Sequence, residues 1–143
     1  MSDFIAFLET MKKQADDCGV AFYPPTQPSE IRDWKQTVID ELKMDIPDEI
    51  SIFLTFTNGL HTDRGYLFDA DSFLEQNACV WLDESHVEKA EYAWLGTYGS
   101  MDMYIFDFES RQYRATSLGF PDEIYFSAPT FEELLSYITR PRE

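Results

Sequence analysis

The sequence predicts an α+β domain: helices first, then an antiparallel sheet of short strands, then a closing C-terminal helix. Three observations predict it. Apolar residues recur at helical spacing as far as Asn58-Gly59. Beyond that point the pattern shortens to brief alternating runs. A capped amphipathic segment then returns at Thr130. The chain has 143 residues, a length for one domain over 1–143. With 44% apolar and 16% aromatic residues it has ample material for a core.

The first helix rests on Phe4, Phe7, Leu8, Met11 and Ala15, with Gly19 as its stop. Tyr23-Pro24-Pro25-Thr26-Gln27-Pro28 excludes regular structure, because each proline removes a donor and fixes φ. Pro28 and Glu30 suit the first turn of a second helix, whose stripe is Ile31, Trp34, Val38 and Leu42. A third helix opens at Ile46-Pro47-Asp48-Glu49, with proline near its first position and two acids at the positive end of the helix dipole. Ile50, Phe53, Leu54 and Thr57 continue its face, and Asn58-Gly59 ends it. Gly65 to Phe68 then reads as a strand and Asp71 to Gln76 as a helical turn or more. Tyr92 to Gly96 reads as a strand entering a turn, and Met101 to Phe108 as an alternating strand. Glu109-Ser110 is a turn, Tyr113 to Thr116 an antiparallel partner, and Ile124 to Phe126 a further strand. Thr130-Phe131-Glu132-Glu133 is a capping box, Phe131, Leu134, Leu135 and Ile138 face inward, and Pro141 ends the last helix.

Charge narrows the function. There are 27 acids against 11 lysines and arginines, a formal charge of −16. Direct binding to nucleic acid is excluded, since phosphate contacts need a basic face. Docking on an anionic membrane is disfavoured for the same reason. The balance is uneven on a finer scale: from Ser72 to Ser110 eight acids meet one base, Lys89, for −7 over 39 residues. Met1-Ser2-Asp3 has no basic leader region and no apolar run spans a membrane, so a cytoplasmic protein is expected. Cys18 and Cys79 form no CxxC pair and read as reduced thiols.

Several pieces in order resemble a known family. Ile46-Pro47-Asp48-Glu49-Ile50, then Phe53-Leu54, then Thr57-Asn58-Gly59 resembles the hallmark of the SUKH superfamily. That superfamily includes a yeast cell-wall-synthesis regulator and many small bacterial immunity proteins. Ile31 to Leu42 resembles the helix before the hallmark. Trp94-Leu95-Gly96 with Met103 to Asp107 resembles the central strands, and Thr130 to Leu135 resembles the closing helix. The shared core runs from about residue 28 to 139, and the opening helix, about 3–18, resembles the extended N-terminus of the YrhA-like branch. Pro47, Gly59, Phe53 and Leu54 have architectural chemistry, so the resemblance implies that function lies on a variable surface.

No catalytic set is apparent. His61 and His86 are too far apart for a helical pair of zinc ligands, and no phosphate loop or nucleophile elbow occurs. Asp69-Ala70-Asp71 and Asp107-Phe108-Glu109 would share a strand face, but neither completes a calcium loop. No enzyme activity, cofactor or metal is therefore expected. The resemblance and the charge together imply an immunity-type protein that binds a basic toxin domain, a nuclease, and occludes it. The alternative is a non-catalytic regulatory module with an endogenous partner. The candidate partner-binding residues are Asp83, Glu84, Glu88, Asp102, Asp107 and Glu109, with Trp81 and Tyr104 as aromatic anchors. Tyr92, Tyr98 and Tyr113 are further aromatics in or beside that acidic stretch. Oligomeric state is left open by the sequence.

Overall fold

A computed structural model describes residues 2–14, 20–84 and 90–139, and of Ser2 and residues 82–84 the backbone alone. Helix α1 (Ser2–Lys13) buries Phe4, Leu8 and Met11, the period its sequence carries. Its expected continuation to Ala15 and the stop at Gly19 lie outside the described residues, as do Cys18, His86 and Pro141. A short strand, β1 (Ala21–Phe22), leads into the proline segment. That segment has no regular structure, yet it is stitched down. Tyr23 N–H donates to Thr57 Oγ1 (2.9 Å), Thr26 N–H to the Leu54 carbonyl (3.0 Å), and Asn58 N–H to the Pro24 carbonyl (3.2 Å).

Helix α2 (Pro28–Asp40) starts on proline and buries Ile31, Trp34 and Val38. Helix α3 (Asp48–Phe56) begins just after Pro47, which is its extended cap (φ −63°, ψ 149°), and Asp48 and Glu49 fill the first turn. Thr57 does not extend the helical face as its spacing suggests. It is the extended residue that closes the helix, and its hydroxyl donates to the Gly59 carbonyl (2.6 Å). Gly59 turns the chain at φ 97°, a conformation that favours glycine. Asn58 Oδ1 accepts from Ala70 N–H (2.8 Å), so the Thr57-Asn58-Gly59 run joins three separate segments.

Strands β2 (Leu60–Thr62) and β3 (Gly65–Leu67) form a tight hairpin. Helix α4 (Ala70–Ala78) follows and continues as a π-helical turn over Cys79–Glu84. Then come β4 (Tyr92–Tyr98), β5 (Asp102–Asp107), β6 (Gln112–Ser117), β7 (Phe120–Ala128) and α5 (Phe131–Ile138). All seven strands join one antiparallel sheet in chain order, β1 to β7. Thr130 caps α5 as expected, accepting from Glu133 N–H (3.3 Å).

One sequence expectation fails at Gly96. The chain does not turn there but continues through it to Tyr98, with a bulge between Trp94 and Gly96. The reason is strand approach. A Cβ on Gly96 would lie 2.2 Å from the Tyr66 carbonyl oxygen, so glycine lets β3 and β4 come together. Gly65 faces the same constraint from the other strand, 2.2 Å from the Thr97 carbonyl. Where β3 ends, the Asn77 side chain pairs with β4 in its place. Its Oδ1 accepts from Trp94 N–H (2.8 Å) and its Nδ2 donates to the Trp94 carbonyl (2.9 Å).

The helices cover the sheet face that carries Tyr104, Phe106, Tyr113 and Ala115. A run of rings links the chain ends to this face: Phe4 on Phe131 (6.0 Å), Phe131 on Phe53 and on Tyr113 (both 5.2 Å), and Tyr113 on Phe106 (4.8 Å). Glu49 ties the same region together. Its Oε1 accepts from the Tyr113 hydroxyl (3.1 Å) and its Oε2 from Phe131 N–H at the start of α5 (3.4 Å). No helix of the described residues is long and apolar enough to cross a membrane.

Candidate functional site

The predicted acidic surface divides. Asp107 ends β5 on the face away from the helices, where its Oδ2 accepts from Ser110 N–H (2.8 Å) and Ser110 Oγ (2.7 Å). The same oxygen pairs with Arg114 (3.7 Å), whose Nε donates to Ser127 Oγ (3.3 Å). Glu109 is exposed in the following turn. Both line one cleft of about 840 Å³, walled by Ala90, Glu91 and Tyr92 on one side and Pro121 and Asp122 on the other. Among the described residues four carboxylates thus face it, Glu91, Asp107, Glu109 and Asp122, against one guanidinium that Asp107 already neutralises. Burial, with the Glu91 carboxylate adding to it, raises the Tyr92 hydroxyl in the same cleft above the usual phenol range.

Asp102 is not part of this group. It begins β5, five residues from Asp107, roughly 17 Å along a strand. The two also alternate onto opposite faces of the sheet, since Asp102 shares the face of Tyr104 and Phe106. Burial raises its carboxyl above the usual carboxylate range. Asp83 and Glu84 lie on the π-helical turn with their side chains outside the described residues, and Glu88 lies wholly outside them.

The aromatic anchors need correction. Tyr104 is 1% exposed, and its hydroxyl donates to the Arg64 carbonyl. Trp81 is 9% exposed and packs edge-on against Tyr92 (4.8 Å). Tyr113 is wholly buried against Glu49. These rings build the core, because each sits on a strand or helix face that the sheet closes over, and none is available as a surface anchor. Three exposed large side chains, Phe120, Ile124 and Tyr125, lie instead on β7, the outer strand that carries Pro121 and Asp122 of the cleft. The signal that could have found them is positional. Phe120-Pro121-Asp122-Glu123-Ile124-Tyr125 is apolar and acidic together, follows a Leu118-Gly119 turn, and lacks the strict alternation of a half-buried strand.

The paired acids have local duties. Asp69 is the N-cap of α4, accepting from Ser72 N–H (2.7 Å), and Asp71 lies in that helix's first turn. Among the described residues, no three His, Cys, Asp or Glu side chains come together as a group that could hold a metal ion. His61 stacks on Tyr66 (6.4 Å) and Cys79 is exposed. Comparison with protein-family models and with curated proteins finds no match for the chain in either.

Proposed function

We propose that this protein is a binding module of the immunity type, a SUKH-like domain that blocks a basic toxin domain, a nuclease, by covering its substrate surface. The observation that carries this reading is the acidic cleft beside an exposed apolar strand. Glu91, Glu109 and Asp122 line it with no ion-pair partner among the described residues, and Phe120, Ile124 and Tyr125 lie on the strand that supplies Asp122. A nuclease presents lysines and arginines where phosphates bind, so the two surfaces are complementary in charge. The apolar side chains would supply the desolvated centre and the acids the rim. The net charge of −16 would steer the encounter and raise its rate at low salt.

The test is titration of the toxin-like domain encoded beside this gene, with association and dissociation followed separately. Glu109→Lys with Asp122→Lys should slow association about tenfold at low salt and little at high salt. Tyr125→Ala should speed dissociation about tenfold and leave association alone. If a toxin domain binds tightly and neither change alters its rates, this face is the wrong one. If no toxin domain binds, and an endogenous protein of the same cell does, the module is regulatory.

A further inference from the structure

A second cleft, of about 470 Å³, lies between the Tyr23–Thr26 segment and the β2–β3 hairpin. That volume falls in the range of small-ligand sites. Its walls carry exposed tyrosine rings. Tyr23 and Tyr66 line it with 46% and 43% of their surfaces exposed. Tyr66 is held between His61, stacked at 6.4 Å, and Phe68, edge-on at 5.9 Å, so its ring has a fixed orientation. Glu30 and Asp69 line the cleft with carboxylates beside the His61 imidazole, and among the described residues no lysine or arginine lines it.

Elsewhere the fold places its own cations over aromatic rings. Lys12 lies over Phe56 (5.4 Å), Arg64 over Tyr137 (5.8 Å) and Arg111 over Phe106 (4.8 Å). The Tyr23–Tyr66 cleft has the same ingredients, ring faces and carboxylates, and among the described residues no lysine or arginine fills it. It is also built in advance. Tyr23 N–H is bonded to Thr57, Thr26 N–H to Leu54 and the Pro24 carbonyl to Asn58, while Asp69 is fixed by capping α4.

We infer that this cleft is a pocket for one cationic side chain, an arginine or lysine, presented by a protein partner. The inference rests on the protein-binding reading above and names a second contact for it, apart from the acidic cleft. The rings supply cation–π attraction, the carboxylates supply charge, and the stitched wall means that little ordering is needed on binding. A phosphate or other anion would meet two carboxylates there and, among the described residues, no lysine or arginine.

The test uses the full chain and two short peptides, acetyl-Gly-Arg-Gly-amide and its citrulline counterpart, which has nearly the same shape without the charge. Amide resonances are followed during titration. The arginine peptide should shift Tyr23, Thr26 and residues 58–62 and 66–69, and the citrulline peptide should bind at least tenfold more weakly. Tyr66→Ala should weaken the arginine peptide about tenfold. Glu30→Gln, at an exposed helical position that leaves the fold alone, should weaken it about threefold. Equal binding of the two peptides, shifts confined to the Asp107 and Glu109 region, or full affinity in both variants would overturn the pocket. A toxin domain that binds wild type and the Tyr23→Ala/Tyr66→Ala double variant alike also overturns it, and leaves the immunity reading standing. Arginine-peptide binding with no toxin domain bound does the reverse.

Discussion

Replacing Glu49 by alanine should destabilise the protein by about 3 kcal/mol, although the residue touches neither cleft. The figure comes from what its carboxylate holds. The Tyr113 hydroxyl is buried with Glu49 Oε1 as its acceptor, and leaving such a donor unpaired costs about 1–3 kcal/mol. Phe131 N–H, at the first residue of α5, loses a negative partner at the positive end of a helix, worth about 0.3–1 kcal/mol. Its 3.4 Å length puts it at the lower end. Urea unfolding followed by tryptophan fluorescence measures the loss, with the slope against denaturant unchanged. Glu49→Gln should recover roughly half, since its amide oxygen can still accept one of the two bonds. Tyr113→Phe alone should cost about 1 kcal/mol, because the carboxylate keeps its other donor. The decisive quantity is the coupling in the double-mutant cycle, expected at about 1–2 kcal/mol. A coupling below about 0.5 kcal/mol would refute the idea that Glu49 acts through the hydroxyl, whatever the single variants cost.

Two other outcomes follow from the core. Gly96→Ala should cost about 3 kcal/mol or more, because the new methyl meets backbone rather than a movable side chain; a cost under 1 kcal/mol, read by the same urea assay, would mean that β3 and β4 are not so close. Stability should fall as pH rises above about 10, the ordinary tyrosine value. Burial first, then the Glu49 carboxylate, holds the Tyr113 hydroxyl protonated well above that value, and burial chiefly does the same for Tyr104. The unfolded chain therefore loses these protons first, binds fewer of them than the native state, and gains in population with pH. The Tyr113→Phe variant should show a shallower alkaline decline, and an identical decline would remove Tyr113 from the account.

Local chemistry made most of the elements legible. Pro28, Pro47, Gly59 and the Thr130 capping box each mark a helix end close to where it lies, because capping is settled within four residues. Alternation from Met101 to Phe108 marked β5, which spans Asp102–Asp107, though Tyr104 and Phe106 were no easier to place as buried than any other ring in the stretch. What could not be read was set by partners distant in sequence. Ala21–Phe22 is a strand only because it pairs with Leu60–Thr62, about forty residues away, and a two-residue strand has no period to detect. The acidic site suffered in the same way. Counting charges along Ser72 to Ser110 put Asp102 beside Asp107, whereas the pleat sends them to opposite faces. Asp122 entered the cleft through the β6–β7 pairing, from outside the window that was counted.

The strand order has a consequence for how the chain reaches this state. From β4 onward each strand pairs with the one made just before it, so three hairpins can close through short loops, each on a microsecond scale. Such a sheet can zip from one turn to the next as the chain leaves the ribosome. The slow step is then the docking of early helices onto late strands: Phe4 and Phe53 must find Phe131, and Glu49 must find Tyr113, across most of the chain. Until α5 emerges, the sheet face that ends on Tyr113 stands uncovered. Folding is therefore expected to complete as a late, cooperative closure around that final helix, and the aromatic chain from Phe4 to Phe106 is the seam along which it shuts.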